Sequence, residues 1–263
     1  MSKVLHAALA IPTVLLAACG GAAPREAANP ADTVAYAMRS VQDVSETRCR
    51  TSVTDSTKVP CVKVDITWPE LAGDSARVGQ AAQFIRRLVS SSFENGADLG
   101  TPDSVRSYIS TVYRMMQEAH KGGYATPWLL ERHVTVACND PRTFGIKVVS
   151  RQNTGQPHTV AATRYANFDA TTGAALGITD YLKDGKEPAF RRTAAKAYQT
   201  AKDAQQSLGS AKVDVDSFPM PQTVLACGDS LVLQYDAIQM GPHRVLDAAV
   251  VLRREELKGL LRN

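Results

Sequence analysis

Cys61-Val62-Lys63-Val64-Asp65-Ile66-Thr67-Trp68-Pro69 alternates without a break: Val62, Val64, Ile66 and Trp68 share one side, and Lys63, Asp65 and Thr67 the other. A period of two is the pattern of a half-buried strand. Pro69, which has no N–H for a ladder, stops it. The period then lengthens. Val78, Ala81, Ala82, Ile85, Leu88, Val89 and Phe93 recur at steps of three and four, with Asp74 or Ser75 as N-cap and Gly96 beyond the end. A second such stripe, Val105, Tyr108, Ile109, Val112, Met116 and Ala119, starts from Thr101-Pro102 and ends at Gly122-Gly123.

The period of two returns at Trp128. Val134, Val136 and Cys138 alternate on one face, Asn139-Asp140-Pro141 turns, and Phe144, Ile146 and Val148 alternate on the way back. After the loop Asn153–Pro157, Val160, Ala162, Arg164, Ala166 and Phe168 follow the same rule, closed by the Asp169–Gly173 turn. A helix is expected over Pro188–Ala204, with Phe190, Ala194, Ala197, Tyr198 and Ala201 inward. Strands are expected at Val34–Val44, Thr223–Cys227, Leu231–Tyr235 and Asp247–Leu252, and a short terminal helix from Arg253. The expected class is α+β, a mainly antiparallel sheet with helices packed on one side. Trp68, Trp128, Tyr165 and Tyr235 are read as core or strand-edge aromatics, and Met115-Met116 as core.

The chain begins differently. Lys3 is followed by an apolar run, Ala7–Ala18, too short for a permanent membrane span, and then Cys19. Leu16-Ala17-Ala18-Cys19 resembles the lipobox of bacterial lipoproteins. That resemblance implies cleavage before Cys19, a diacylglycerol on its thiol and an acylated amine, two acyl chains being enough for stable anchoring. Residues 1–18 are therefore expected to be a signal peptide, and 19–33 a lipidated Cys and flexible tether reaching about 20 Å. The body would be 34–263, one domain or two packed halves of about 34–125 and 126–263. Gly20 after the Cys implies the periplasmic face of the outer membrane if the source has two membranes. The 30 Lys and Arg against 26 Asp and Glu become an excess of +3 once Lys3 is removed. That is too weak and scattered for a nucleic-acid partner.

Four further cysteines, Cys49, Cys61, Cys138 and Cys227, suggest two disulfides in an exported chain. Of three pairings, Cys49–Cys61 and Cys138–Cys227 are favoured, because the first pair flanks a polar loop and the second ends two β-like runs. A structural zinc site is the rival, though no Cys-x-x-Cys spacing exists. No metal or cofactor is expected.

Taken in order, four segments resemble RsiV-like bacterial extracytoplasmic domains: Val62–Leu71 with its aromatic-Pro ending, Asn167–Leu182, Leu231–Arg244 and Arg254–Leu261. The likeness covers roughly Val34–Leu261. It implies an α+β fold and mostly binding activities; one member of that family is a lysozyme receptor that restrains a sigma factor. This chain is expected to lack a cytoplasmic anti-sigma segment, a transmembrane helix and a fused deacetylase. Where the family often has Thr-Gly-Gly-Ala-His, it has Thr154-Gly155-Gln156-Pro157-His158.

No catalytic constellation emerges. Gly-x-Ser-x-Gly, His-Glu-x-x-His and a phosphate loop are all absent. His120 is read as a cation at a helix C-terminus, and His133 as lying on the side opposite Val134 and Val136. The expected function is a lipid-anchored envelope lipoprotein, not an enzyme, that binds an envelope macromolecule such as peptidoglycan or a lysozyme-like protein. Its contact surface would be the loops carrying Asn153, His158, Tyr235, Asp236, Gln239, His243 and Arg244. The alternatives are a cell-wall glycan enzyme using a metal on His133, His158 and His243, and a structural lipoprotein of an envelope assembly.

Overall fold

The computed structural model describes residues 33–44, 62–90, 128–153, 159–204, 213–235 and 249–262, with the single positions 111, 115 and 118. Six strands form the larger sheet in sequence order: β1 (Ala35–Val44), β2 (Val62–Ala72), β3 (Trp128–Asn139), β4 (Thr143–Asn153), β5 (Val160–Asp169) and β6 (Ala175–Leu176). All neighbours are antiparallel except β2 and β3. That parallel pair needs a crossover, and α1 (Ser75–Ser90) lies within it. A smaller antiparallel sheet contains β7 (Thr223–Cys227), β8 (Ser230–Gln234) and β9 (Ala249–Arg253). Two helices, α2 (Ile178–Tyr181) and α3 (Glu187–Ala204), separate the sheets in sequence. The class is the expected mixed α+β with a mainly antiparallel larger sheet.

Two hydrophobic cores follow from the two periodicities. In the first, Val64, Ile66 and Trp68 of β2 meet Val134 of β3, Phe144, Ile146 and Val148 of β4, and Val78, Ala81, Ile85 and Val89 of α1. Each fully buried aliphatic side chain contributes about 1.5–3 kcal/mol. The Asp74 carboxylate accepts from Ala76 N at 3.0 Å and so caps α1 as expected. In the second, Phe190, Ala194 and Tyr198 of α3 cover Val224, Leu231, Leu233, Val250 and Leu252 of the smaller sheet.

The start of α1 is held against the β5–β6 turn. Arg77 Nε donates to Ala170 O at 2.9 Å. Gly173, at φ +72°, closes the turn, and a Cβ there would come within 2.4 Å of Arg77 O. Glycine is needed twice over, for the left-handed backbone and for the close approach.

Four expectations are corrected. The alternation of β3 does not run through to Cys138. A bulge between Val136 and Cys138 pairs Cys138 with Gly145, so Cys138 faces away from Val134 and Val136. The terminal helix from Arg253 is instead a run of turns with i to i+3 bonds such as Leu257 N to Arg254 O. Gly259 there adopts φ +82°, and Leu261 bridges to Leu182. Met115 is exposed, not core, although positions 111, 115 and 118 are helical as expected. Val160, expected inward, is 63% exposed, because the core stops short of that end of β5. Among the described residues, no helix is long and apolar enough to cross a membrane.

Candidate functional site

Among the described residues, the larger sheet has one face on α1 and a second face that is half covered. β7 lies across that second face, touching β5, β4 and β3. A β7 edge without a neighbouring strand would leave buried backbone groups unpaired. Asn167 of β5 supplies the missing partner: its Nδ2 donates to Val224 O at 2.8 Å and its Oδ1 accepts from Ala226 N at 3.1 Å. Thr223 Oγ1 accepts from Tyr165 N at 3.0 Å, which satisfies one amide on the free edge of β5.

The other end of β7 is fastened covalently. Cys138 and Cys227 form the expected disulfide, with Cα atoms 5.6 Å apart. The β3 bulge is what aims Cys138 at β7. Asp140 adds two supports, accepting from Thr143 N at 2.7 Å and from Gly228 N at 3.2 Å. Among the described residues, the cluster of Cys138, Asp140 and Cys227 is the one with metal-ligand proximity. Its two sulfur atoms are spent in the disulfide. Gly145 leaves room for Leu225 above it, since a Cβ there would come within 2.4 Å of Leu225 Cδ1.

The half of this face that no described element covers is polar. Lys63 (β2), Glu131 (β3) and Arg151 (β4) lie side by side across three strands. Glu131 is nearly buried, with Oε1 2.6 Å from Lys63 Nζ and Oε2 2.9 Å from Arg151 Nη1. Each carboxylate oxygen thus has a cationic partner. The hydrogen bond from the Lys63 ammonium, reinforced by the Lys63 and Arg151 charges, holds the Glu131 carboxyl below its ordinary value of 4.5 against the opposing effect of burial.

One register step along, His133 occupies the other side of the sheet from Val134, as the alternation requires. Its Nδ1 lies 3.3 Å from Thr67 Oγ1 and its Nε2 3.7 Å from Asp65 Oδ2. Asp65 also accepts from Gln42 Nε2 at 3.2 Å. The strip therefore presents alternating cations, carboxylates, amide and hydroxyl on a rigid ladder. Such a surface can hydrogen-bond an extended polar ligand.

Asn153 is half-buried at the end of β4, paired in register with Leu129 and two residues from Arg151. Asn153 and Val160 lie at the same end of the sheet as Lys63, Glu131 and Arg151. His158, Asp236, Gln239, His243 and Arg244 lie outside the described residues, as do Cys19, Cys49, Cys61 and His120.

Tyr235, expected on the contact surface, is only 4% exposed and belongs to the second core. Its ring packs at 5.0 Å from Phe218 and 5.7 Å from Tyr198, and its hydroxyl has no hydrogen-bond partner among the described residues. Burial pushes its phenol strongly upward. The period of two on β8 places it beside Leu231 and Leu233, which is the signal for burial. Trp68 is core as expected. Tyr165 lines a cavity of about 270 Å³ between the sheets. The Lys63–Glu131–Arg151 cluster was not among the expected site residues, because it exists only once β2, β3 and β4 are in register.

No family model matches the sequence, and no curated protein matches it. Solved structures do. A DUF3298 family protein from Pseudomonas aeruginosa PAO1 superposes with a TM-score of 0.59 at 16% identity, over 87% of this chain and 94% of that one. A member of the same family from Bacteroides fragilis NCTC 9343 gives 0.62 at 14% identity, over 88% and 95%. RsiV-like domains include the DUF3298 family, so the expected resemblance is met at the level of the fold. Likeness at these identities speaks for architecture, and function has to be argued from the site.

Proposed function

We propose that this chain is an envelope lipoprotein, held by acyl chains on Cys19, whose α+β body is a non-catalytic binding module for an envelope macromolecule. The observation that carries the reading is the polar half of the larger sheet's second face, which the described elements leave open. The smaller sheet is bonded across the other half of that face, and the open half is a polar strip, with Asn153 at its rim. Surfaces held rigid by a sheet and rimmed by loops are where recognition concentrates. The lipobox-like Leu16–Cys19 and the fold shared with bacterial domains support the setting. Peptidoglycan and lysozyme-like proteins are the partners proposed, each offering extended polar surface.

Two measurements test the two halves of the reading. In cells fed radiolabelled palmitate, the wild-type chain takes up label and Cys19→Ala does not. Equal labelling of both, or of neither, removes the anchor. The full-length chain in detergent binds isolated peptidoglycan or lysozyme saturably, and the absence of saturation with both removes the binding role.

A further inference from the structure

At the opposite end of the larger sheet from Asn153, a cavity of about 270 Å³ opens where the β3–β4 turn, the β5–β6 turn, α2 and the C-terminal turns meet. Arg142, Arg254 and Arg262 line it, with Asp169, Asp180 and Tyr181. We propose that this cavity is a binding site for a single carboxylate group.

The guanidinium groups are prepared for an anion. Arg254 Nε donates to Gly228 O at 3.0 Å, and Arg262 Nε donates to Leu182 O at 2.6 Å. Each side chain is thereby oriented while other N–H groups remain available. Arg262 spends one of these on Asp184 at the rim. Arg142 and Arg254 form no ion pair with any described residue, although two carboxylates share the cavity with them. Those carboxylates are occupied locally. Asp169 Oδ1 takes Thr171 N, Thr172 N and Thr172 Oγ1, and Asp180 Oδ2 takes Gly177 N. Fork-shaped guanidinium groups match the planar geometry of a carboxylate.

A further unspent group stands at the same place. The Tyr181 hydroxyl is buried beside the Thr143 hydroxyl without a well-formed hydrogen bond. A buried donor left unmade is costly, and a carboxylate oxygen in the cavity can accept from it. Burial pushes this phenol up to about 12, so it stays a donor at neutral pH. Three guanidinium groups and two carboxylates line the cavity, and Asp184 at the rim pairs with Arg262. A planar carboxylate with a single charge meets less repulsion from Asp169 and Asp180 than a dianionic phosphate would. The volume lies below the usual range for a whole drug-sized ligand. It suits a carboxyl group with its first few atoms, either a small free acid or the end of a chain.

The probes are acetate, tri-alanine, tri-alanine amide and inorganic phosphate at matched ionic strength, titrated into the full-length chain in detergent. Binding is followed by calorimetry and by the Tyr181 ring resonance, assigned with Tyr181→Phe. Saturable binding of tri-alanine that is absent with its amide, and weakened about tenfold or more by Arg142→Gln, is the expected result. Arg142 is exposed and its side chain makes no bond to a described residue, so this variant is expected to fold, and Asn153→Ala leaves the binding of tri-alanine unchanged. Acetate as tight as tri-alanine identifies a free acid as the ligand; tri-alanine tighter identifies a chain end. Acid and amide binding alike, phosphate binding more tightly, an unaffected Arg142→Gln, or no saturation up to about 10 mM with any probe each overturns the proposal.

Discussion

Asn167 stands in for a strand beside Val224. Its side-chain amide donates to Val224 O at 2.8 Å and accepts from Ala226 N at 3.1 Å, which is what a neighbouring backbone would do for β7. Asn167 is 2% exposed, so neither backbone group can turn to water instead. Asn167→Ala orphans both, at about 1–3 kcal/mol each. A loss of about 2–6 kcal/mol in urea unfolding is expected. Asn167→Asp restores the acceptor but not the donor and buries a charge, so it does not rescue.

The disulfide between Cys138 and Cys227 spans 89 residues. By chain entropy a loop of that length stabilises the fold by about 4–5 kcal/mol. The double variant Cys138→Ala/Cys227→Ala, or reduction of the wild type, lowers the unfolding midpoint accordingly. A midpoint that does not move means that the smaller sheet is held in place by Asn167 and packing alone.

Gly145 is the floor on which Leu225 rests. A Cβ there would fall within 2.4 Å of Leu225 Cδ1 and 2.9 Å of Cys138 Cβ. Gly145→Ala overpacks the junction and costs about 1–3 kcal/mol. Leu225→Ala relieves the first clash and not the second, so in thermal melts Gly145→Ala costs less in the Leu225→Ala background than in wild type.

Acid sensitivity has a defined origin in Glu131. Its folded pKa lies below its ordinary value of 4.5, chiefly through the hydrogen bond from Lys63. The unfolded chain therefore binds the proton first. The stabilisation from this group is complete above about pH 4.5 and fades as pH falls through the folded value. Asp169 behaves in the same sense, its carboxyl held down first by the Thr172 amide. Urea midpoints between about pH 3 and pH 7 should fall on acidification. Glu131→Gln should flatten part of that slope, and an unchanged slope removes Glu131 from the account.

Periodicity made the elements readable. The stripe of Val78, Ala81, Ile85 and Val89, and the alternations of Val64, Ile66 and Trp68 and of Phe144, Ile146 and Val148, map directly onto buried faces. The Cys138–Cys227 pairing was legible because both residues end strand-like runs.

What lay beyond the sequence depends on how elements meet. The β3 bulge reverses Cys138 with one extra residue, and no local pattern announces it. Asn167 reads as an ordinary polar strand residue until β7 is laid across it. The C-terminal Leu257, Leu260 and Leu261 have helical spacing, yet Gly259 and the bridge to Leu182 break the helix into turns. The candidate site was legible only in part. His133 is on the expected side, while Glu131 gained its two cationic partners through register, and Tyr235 was drawn inward by its own alternation.

The most direct test of the binding role is the isotherm of the full-length chain in detergent on isolated peptidoglycan and on lysozyme, measured for wild type and for His133→Ala/Asn153→Ala/His158→Ala. The account predicts saturable binding to one of them, weakened about tenfold or more in the triple variant, whose melting temperature stays near that of wild type. Binding of equal strength in both proteins, or no saturable binding in either, contradicts it.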